Sequence, residues 1–194
     1  GGVFDERNKL LCTPTGVVRD PQFYWKAKGI KAYTLTEAID IDRKAHTVKC
    51  RRLETDEEMV LEYDKLVLAT GTETIMPPVP GTDLEGITTL QSMNDADYLR
   101  RIRDEGKVKK AMVVGGGLIG MEVCEALQLA DIQITVVEMV DQILTFLDWE
   151  MAKLVENHVK SKGAMIVTGN PVAAFLGENG KLTGIKFKNG TELP

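Results

Sequence analysis

The middle of the chain has a short apolar run, then a helix-like stretch, then a second short apolar run. Residues 110–114 predict a strand, residues 118–130 predict a helix, and residues 133–138 predict a second strand. Strand, helix and strand in this order are typical of a βαβ unit, in which both strands lie parallel in one sheet.

Helices are predicted on both sides of this unit. Ser92, with Asp95 three residues later, has the spacing of a capping box, and the helix that it opens should end near Gly106. After the second strand, Asp148 can cap a helix that stops at Gly163. The elements around the unit therefore continue an α/β pattern.

Two stretches contain short alternating runs separated by charged turns, which predict small β-meanders. The first opens with a strand at 30–36 and closes with an apolar strand at 65–69, whereas the second opens with a strand at 164–168 and has no closing strand. Prolines between residues 77 and 80 predict a domain boundary. We interpret the chain as the tail of one nucleotide-binding module followed by most of another.

Composition excludes several classes of function. The chain has 194 residues, 43% of them hydrophobic, with a net charge of -5 and no basic stripe, so no nucleic-acid partner is expected. No apolar stretch has the length of a membrane span. Because Cys12, Cys50 and Cys124 lie far apart, neither a disulfide framework nor a metal site is predicted, and a reduced, cytoplasmic location is expected.

A glycine motif joins the first strand of the βαβ unit to its helix. Gly115 can make the tight turn, Gly117 lets the backbone approach a pyrophosphate, and Gly120 lets the helix pack closely on the strand. The phosphates would then meet the helix N-terminus, where unpaired N–H groups favour anions. The alternative is a glycine-rich turn without a ligand, which the surrounding strand-helix-strand pattern disfavours.

Glu138 ends the second strand of the unit, at the position where an acid accepts hydrogen bonds from ribose hydroxyls. Residues 139–142 offer no cation for a 2′-phosphate and add a second acid, so NADH is expected to bind more tightly than NADPH. The alternative is that Glu138 only ends a strand in solvent.

Three motifs together resemble those of the pyridine nucleotide-disulfide oxidoreductase family: residues 63–71, residues 77–81 and residues 115–122. In that family an NAD(P)H-binding domain is inserted into an FAD-binding domain. The resemblance implies that Ala69, Thr70 and Gly71 lie against FAD. By the same resemblance, the backbone of Ala38 contacts the adenine of FAD, and Val172 occupies the matching place for the nicotinamide cofactor.

The start of the chain resembles the stretch after the single redox cysteine in the branch of coenzyme A-disulfide reductase and NADH oxidase. That cysteine would precede Gly1, and Cys12 is interpreted as structural. The chain is therefore expected to be a fragment without the N-terminal FAD motif and the C-terminal dimerisation domain. It should hold no catalytic residue and should not turn over by itself, whereas the intact protein is expected to be a homodimer.

Three further residues of the glycine motif are cofactor-binding candidates. Glu122 resembles the family glutamate near the nicotinamide, and its alternative is an acid in the first turn of the helix, stabilised by the dipole. Leu118 stands where many relatives carry an aromatic gate over the flavin, or it is only a packing residue. Ile119 lies beside it in the first turn.

These observations predict an α/β chain: a Rossmann-like, three-layer NAD(P)-binding domain joined to part of an FAD-binding domain. The expected divisions are a partial FAD-binding domain at 1–75, a linker and connecting helix at 76–106, and an NADH-binding domain at 107–194. In the intact protein, hydride would pass from NADH to FAD and electrons onward to a thiol, disulfide, persulfide or oxygen. Alternatives are an FAD-free NAD-dependent dehydrogenase and a non-catalytic redox sensor that binds nucleotide.

Overall fold

A computed structural model describes residue 9 and residues 11–194. The chain divides into two compact units, one of Phe4–Thr72 and one that contains Glu73–Pro194. None of the helices in the described residues is both long enough and apolar enough to cross a membrane.

The described residues of the Phe4–Thr72 unit include a helix at Pro21–Lys28 and an antiparallel sheet in the order β1-β2-β3. Its elements are α1 (Pro21–Lys28), β1 (Thr36–Asp42), β2 (Thr47–Arg52) and β3 (Glu58–Glu62). The first predicted meander is confirmed, but its first strand begins at Thr36 and not at Ile30. The φ of Leu35 is +49°, a left-handed conformation that an extended strand does not contain.

The apolar run at 65–69 does not form the predicted strand. It lies outside every helix and strand, and Val67 and Leu68 are 83% and 69% exposed. Apolar runs of this kind form strands when neighbouring strands pair with both edges and other layers cover both faces. In the described part of this unit the paired strands are all antiparallel, β1 with β2 and β2 with β3, and one isolated antiparallel bridge joins Cys12 and Val18.

The unit that contains Glu73–Pro194 has two three-stranded sheets, a parallel sheet in the order β4-β5-β6 and an antiparallel sheet in the order β7-β8-β9. Its elements are α2 (Met93–Glu105), β4 (Lys110–Val114), α3 (Leu118–Gln128), β5 (Gln133–Val137), α4 (Trp149–Ser161), β6 (Met165–Val167), β7 (Val172–Glu178), β8 (Lys181–Phe187) and β9 (Glu192–Leu193). The predicted βαβ unit is confirmed, because β4, α3 and β5 follow one another and the two strands pair in parallel.

The predicted helix starts agree with the structure to different degrees. Ser92 and Asp95 form the reciprocal capping box, and Gly106 ends α2 with a φ of +61°. The backbone N–H groups of Ser92 and Gln91 lower the pKa of the Asp95 carboxyl. Asp148 is the N-cap of α4 by position, but its side chain makes no capping hydrogen bond.

The core of this unit centres on β5, the middle strand of the parallel sheet. Ile134 and Val136 are fully buried there, and they pack with Cys124 from α3 and Ile143 from the loop after β5. Burial raises the pKa of the Cys124 thiol, so it stays protonated and behaves as an apolar core residue. This packing fixes β5 and α3 on either side of the glycine motif.

Candidate functional site

The glycine motif forms a tight turn between β4 and α3. Gly115 has a φ of +115°, a conformation that favours glycine, and its N–H donates to the carbonyl oxygen of Val137 at 2.8 Å. This hydrogen bond ties the turn to the end of β5. The turn is therefore set at the carboxyl edge of two neighbouring parallel strands, where open α/β sheets bind ligands.

The first turn of α3 presents its backbone N–H groups beside this turn. The first helical hydrogen bond runs from the N–H of Met121 to the carbonyl of Gly117 at 3.0 Å, so the N–H groups of Leu118, Ile119 and Gly120 precede the helical pattern. These groups and the helix dipole favour a phosphate oxygen. The helix has 11 residues and no side-chain cap at its N-terminus.

Glycines of the motif differ in the space around them. A Cβ on Gly120 would overlap the carbonyl oxygen of Gly115, so only glycine allows the helix to approach the turn. A Cβ on Gly117 would meet nothing within 4 Å, and the space in front of this residue is open to a ligand. The geometry fits a dinucleotide pyrophosphate on the backbone, because the cradle is open where the phosphates must enter.

Glu138 folds back onto the glycine turn. Its Oε2 accepts a hydrogen bond from the N–H of Gly116 at 2.7 Å, and its Oε1 accepts one from the N–H of Val140 at 3.1 Å. Each carboxylate oxygen has two lone pairs, so both oxygens keep acceptor capacity for a ribose hydroxyl. The reading of Glu138 as a strand end in solvent does not fit this half-buried, hydrogen-bonded side chain.

A groove of about 1240 Å³ extends from the glycine turn along β4. Gly115 and Gly117 line it, and so do the exposed side chains of Leu118 and Ile119. The aromatic ring of Phe146 also lines the groove and is 63% exposed. The rest of the lining is mostly apolar and includes Tyr98, Leu99, Ile102, Val113, Leu127 and Phe175.

Two other candidates of the same unit lie apart from the turn. Glu122 is exposed in the second turn of α3, and no acid lies in the first turn, so its alternative reading as a first-turn acid is wrong. The helix begins at Leu118, as predicted, and Glu122 is its fifth residue. Val172 opens β7 half-buried against a cluster that includes Val137 and Phe187.

The remaining candidates belong to the Phe4–Thr72 unit. Ala38 is exposed in β1, next to an irregularity in the pairing with β2. Ala69, Thr70 and Gly71 are exposed and follow the apolar run that forms no strand.

Sequence reasoning missed the part played by Gly116 and by the loop after Glu138. Gly116 is buried, and a Cβ there would lie 2.7 Å from Cγ2 of Ile143. The signal in the sequence is a third consecutive glycine between Gly115 and Gly117, one more than the fingerprint requires.

A parallel βαβ unit with this glycine turn defines a dinucleotide-binding protein of the Rossmann type. The chain belongs to the pyridine nucleotide-disulphide oxidoreductase family, whose pattern matches residues 10–194. The family predicted from the three sequence motifs is thus confirmed.

Two of the proteins that are similar in sequence to this chain are NADH oxidases. The chain is 34% identical over 163 residues to an NADH oxidase of Methanocaldococcus jannaschii, a match that covers 84% of this chain and 36% of that protein. It is 35% identical over 148 residues to an NADH oxidase of Enterococcus faecalis, covering 75% of this chain and 32% of the relative. The chain therefore spans about a third of the length of these relatives.

Two solved structures have the same fold as this chain. The NAD-dependent persulfide reductase from A. fulgidus is 40% identical with a TM-score of 0.88, and the match covers 100% of this chain and 35% of that one. Reduced CoADR-RHD of Bacillus anthracis is 32% identical with a TM-score of 0.84, covering 99% of this chain and 33% of that one. The predicted α/β fold class and the predicted cofactor classes, pyridine nucleotide and flavin, agree with this family, and so does the predicted class of enzyme, an oxidoreductase.

Proposed function

We propose that this chain is the NADH-binding part of a flavin-dependent oxidoreductase that passes hydride from NADH to FAD. The observation that carries the proposal is the preformed glycine turn, with open space in front of Gly117 and the Glu138 carboxylate beside it. Pyrophosphate would lie on the first-turn N–H groups of α3, and the adenosine ribose would donate hydrogen bonds to Glu138.

The remaining candidates would act around the same cofactor. Leu118 and Ile119 would cover the dinucleotide from the exposed face of α3, and Glu122 would face its nicotinamide half. We also propose Val172 as a backbone neighbour of the nucleotide. FAD, when bound, would accept the hydride and pass electrons to the final acceptor.

The FAD-binding part of the proposal rests on Ala69, Thr70 and Gly71, which match the family motif in sequence, and on Ala38, which is placed by its position in β1. We also propose a division into a partial FAD-binding domain at 1–75, a connecting segment at 76–106 and an NADH-binding domain at 107–194. Family membership and the nucleotide fingerprint support this division. We further propose that the intact protein is a cytoplasmic homodimer that binds neither nucleic acid nor membranes; the wide spacing of the three cysteines along the sequence fits a reducing compartment.

Two other functions predict different behaviour. An FAD-free dehydrogenase would leave the match of residues 63–81 to the flavoprotein motifs without a role, and the full-length protein would be colourless. A redox sensor would bind NADH without reducing flavin. Absorbance of the full-length protein near 450 nm, followed during anaerobic addition of NADH, tests the proposal: loss of a flavin band supports it, whereas a missing or unchanged band supports one of the alternatives.

The nucleotide site itself is tested on this chain by titration with NADH. Gly117→Val should reduce the affinity at least about tenfold, because the side chain would fill the space that the pyrophosphate needs. Ala126→Val is the matched control, since it adds the same side chain to an exposed position of α3. Equal affinities for the wild type and Gly117→Val would remove the site assignment.

A further inference from the structure

Gly116 is held on three sides, although the nucleotide fingerprint assigns no role to this position. Its N–H donates to Oε2 of Glu138 at 2.7 Å, and its carbonyl oxygen accepts from the N–H of Leu144 at 2.8 Å. On the third side, Ile143 fills the place of a Cβ. A residue whose backbone N–H and C=O are both hydrogen-bonded, and whose Cβ position is filled by a neighbour, has little freedom to rotate.

The partners of Gly116 are themselves anchored. Ile143 is completely buried in the core cluster that includes Val136 of β5. Leu144, also buried, has a φ of +49°, which turns the loop so that its N–H faces the glycine turn. The loop after β5 therefore connects the glycine turn to the hydrophobic core through two neighbouring residues.

Glu138 differs from these partners because its hold on the turn depends on a charged side chain. Its two carboxylate oxygens accept hydrogen bonds from two backbone N–H groups, that of Gly116 at 2.7 Å and that of Val140 at 3.1 Å. A glutamine would offer one acceptor oxygen and one NH₂ donor, so it could bond only one of these N–H groups. An alanine would bond neither. Hydrogen bonds to a charged acceptor are about twice as strong as neutral ones, which makes this contact the strongest of the three.

We propose that Glu138 is a positioning residue for the glycine turn, which it holds in its binding shape before a nucleotide arrives. This role is additional to that of a ribose acceptor, and its relevance to NADH rests on the proposed function. The carboxylate thus couples the pyrophosphate cradle to the end of β5. A substitution aimed at the ribose contact would also loosen the turn, so a change at Glu138 alone should weaken NADH binding without creating an NADPH site of comparable affinity.

Amide hydrogen exchange of the nucleotide-free chain, measured by NMR, tests this role without any ligand. The Gly116 N–H should be protected in the wild type, and in Glu138→Ala it should exchange at least about tenfold faster, because a hydrogen bond to a charged acceptor is lost. Glu138→Gln keeps one acceptor oxygen and should exchange more slowly than Glu138→Ala. Protection of the Val136 N–H in the centre of β5 shows that the variants are folded.

Asp141→Asn is the matched control, because it removes a neighbouring exposed carboxylate from the same loop. Gly116 should exchange in this variant as in the wild type. Exchange of Gly116 in Glu138→Ala within twofold of the wild type would overturn the positioning role, even if the wild type binds NADH. Absence of NADH binding by the wild type would instead overturn the proposed function, whereas accelerated exchange in Glu138→Ala would still support the positioning role.

Discussion

The backbone N–H of Phe175 donates a hydrogen bond to the carbonyl oxygen of Pro80 at 2.9 Å. Glu85 makes two further backbone hydrogen bonds with the β7–β8 hairpin. Its N–H donates to the carbonyl oxygen of Gly180, and its carbonyl oxygen accepts from the N–H of Leu182, each at 2.9 Å. Residues 80–85 thus lie along the β7–β8 hairpin. The proline-rich segment, which was predicted as a boundary, is fixed by backbone hydrogen bonds at its end.

Gly81→Ala should destabilise the chain by about 2–4 kcal/mol, because it adds both backbone strain and overlap. Gly81 has a φ of +87°, and a Cβ there would overlap the carbonyl group of Phe175. Urea unfolding measures the loss. The control is Gly106→Ala, whose φ of +61° imposes strain but whose Cβ would meet nothing within 4 Å. Equal losses of unfolding free energy in the two variants would show that overlap with Phe175 does not contribute to the destabilisation.

Alanine substitutions at two glycines of the motif should differ in their effect on thermal stability. Gly117→Ala should leave the melting temperature within a few degrees of the wild type, since its φ is -78° and its Cβ is unobstructed. Gly120→Ala should lower it clearly, by an amount equivalent to about 1–3 kcal/mol, because the helix must move away from Gly115. Differential scanning calorimetry compares the two. A stable Gly120→Ala variant would contradict the close approach of α3 and the turn.

NADH should bind about ten- to a hundredfold more tightly than NADPH. The Glu138 carboxylate accepts hydrogen bonds from ribose hydroxyls and repels a 2′-phosphate, and together these effects amount to about 1.5–3 kcal/mol. Isothermal titration of both nucleotides into the wild type and Glu138→Ala measures the ratio. Equal affinities in the wild type, or an unchanged ratio in the variant, would argue against ribose recognition by Glu138.

Glu156→Gln should destabilise the chain by about 1–3 kcal/mol at neutral pH. Glu156 is only 5% exposed, and its carboxylate accepts hydrogen bonds of 2.6 Å from both Lys153 and Lys160. Burial raises the pKa of the Glu156 carboxyl, but the bonds and charges of the two lysines outweigh this effect and lower it below 4.5.

The stability that Glu156 contributes should depend on pH in one direction. Because the pKa of Glu156 is lower in the folded chain, the contribution is complete above the ordinary value of 4.5 and is lost as the pH falls through the folded pKa. The difference between wild type and Glu156→Gln should therefore shrink in acid. Glu150→Gln, an exposed substitution at the start of the same helix, should cost less at pH 7. A constant difference from pH 7 to pH 3 would contradict the assigned ion pairs.

Val67→Lys should reduce self-association of the isolated chain. Residues 65–69 are an exposed, β-prone apolar run without strand partners, the kind of segment that pairs with other copies. Light scattering as a function of concentration measures the effect. Thr72→Lys adds the same charge nearby at an exposed polar position and should change scattering less. An equal effect of both lysines would indicate that net charge alone is responsible.

Local signals in the sequence were sufficient for several elements. The capping box of Ser92 and Asp95 predicts the start of α2 because both partners lie within one turn. The glycines around α3 predict the turn for the same reason, since their constraint is local. The run at 65–69 shows the limit: its residues favour a strand, but a strand also needs neighbours that a local pattern cannot supply.

Contacts between distant residues explain what sequence reasoning missed. Gly116 must be glycine because Ile143, 27 positions further along the chain, fills the place of its Cβ. The hydrogen bond from Gly116 to Glu138 likewise spans 22 positions. The sequence around Ile143 or Glu138 does not indicate a contact with Gly116, because both contacts depend on the parallel pairing of β4 and β5.

The parallel pairing of β4 and β5 also sets the order in which the chain can fold. Lys110 pairs with Gln133, so this contact must close a long loop, whereas the β7–β8 hairpin closes around Asn179 and Gly180. Hairpins form within microseconds, and contacts between distant residues form more slowly. The glycine turn takes its shape only when Gly115 and Gly116 meet the end of β5. A refolding chain should therefore acquire its antiparallel sheets first and the ability to capture a nucleotide last.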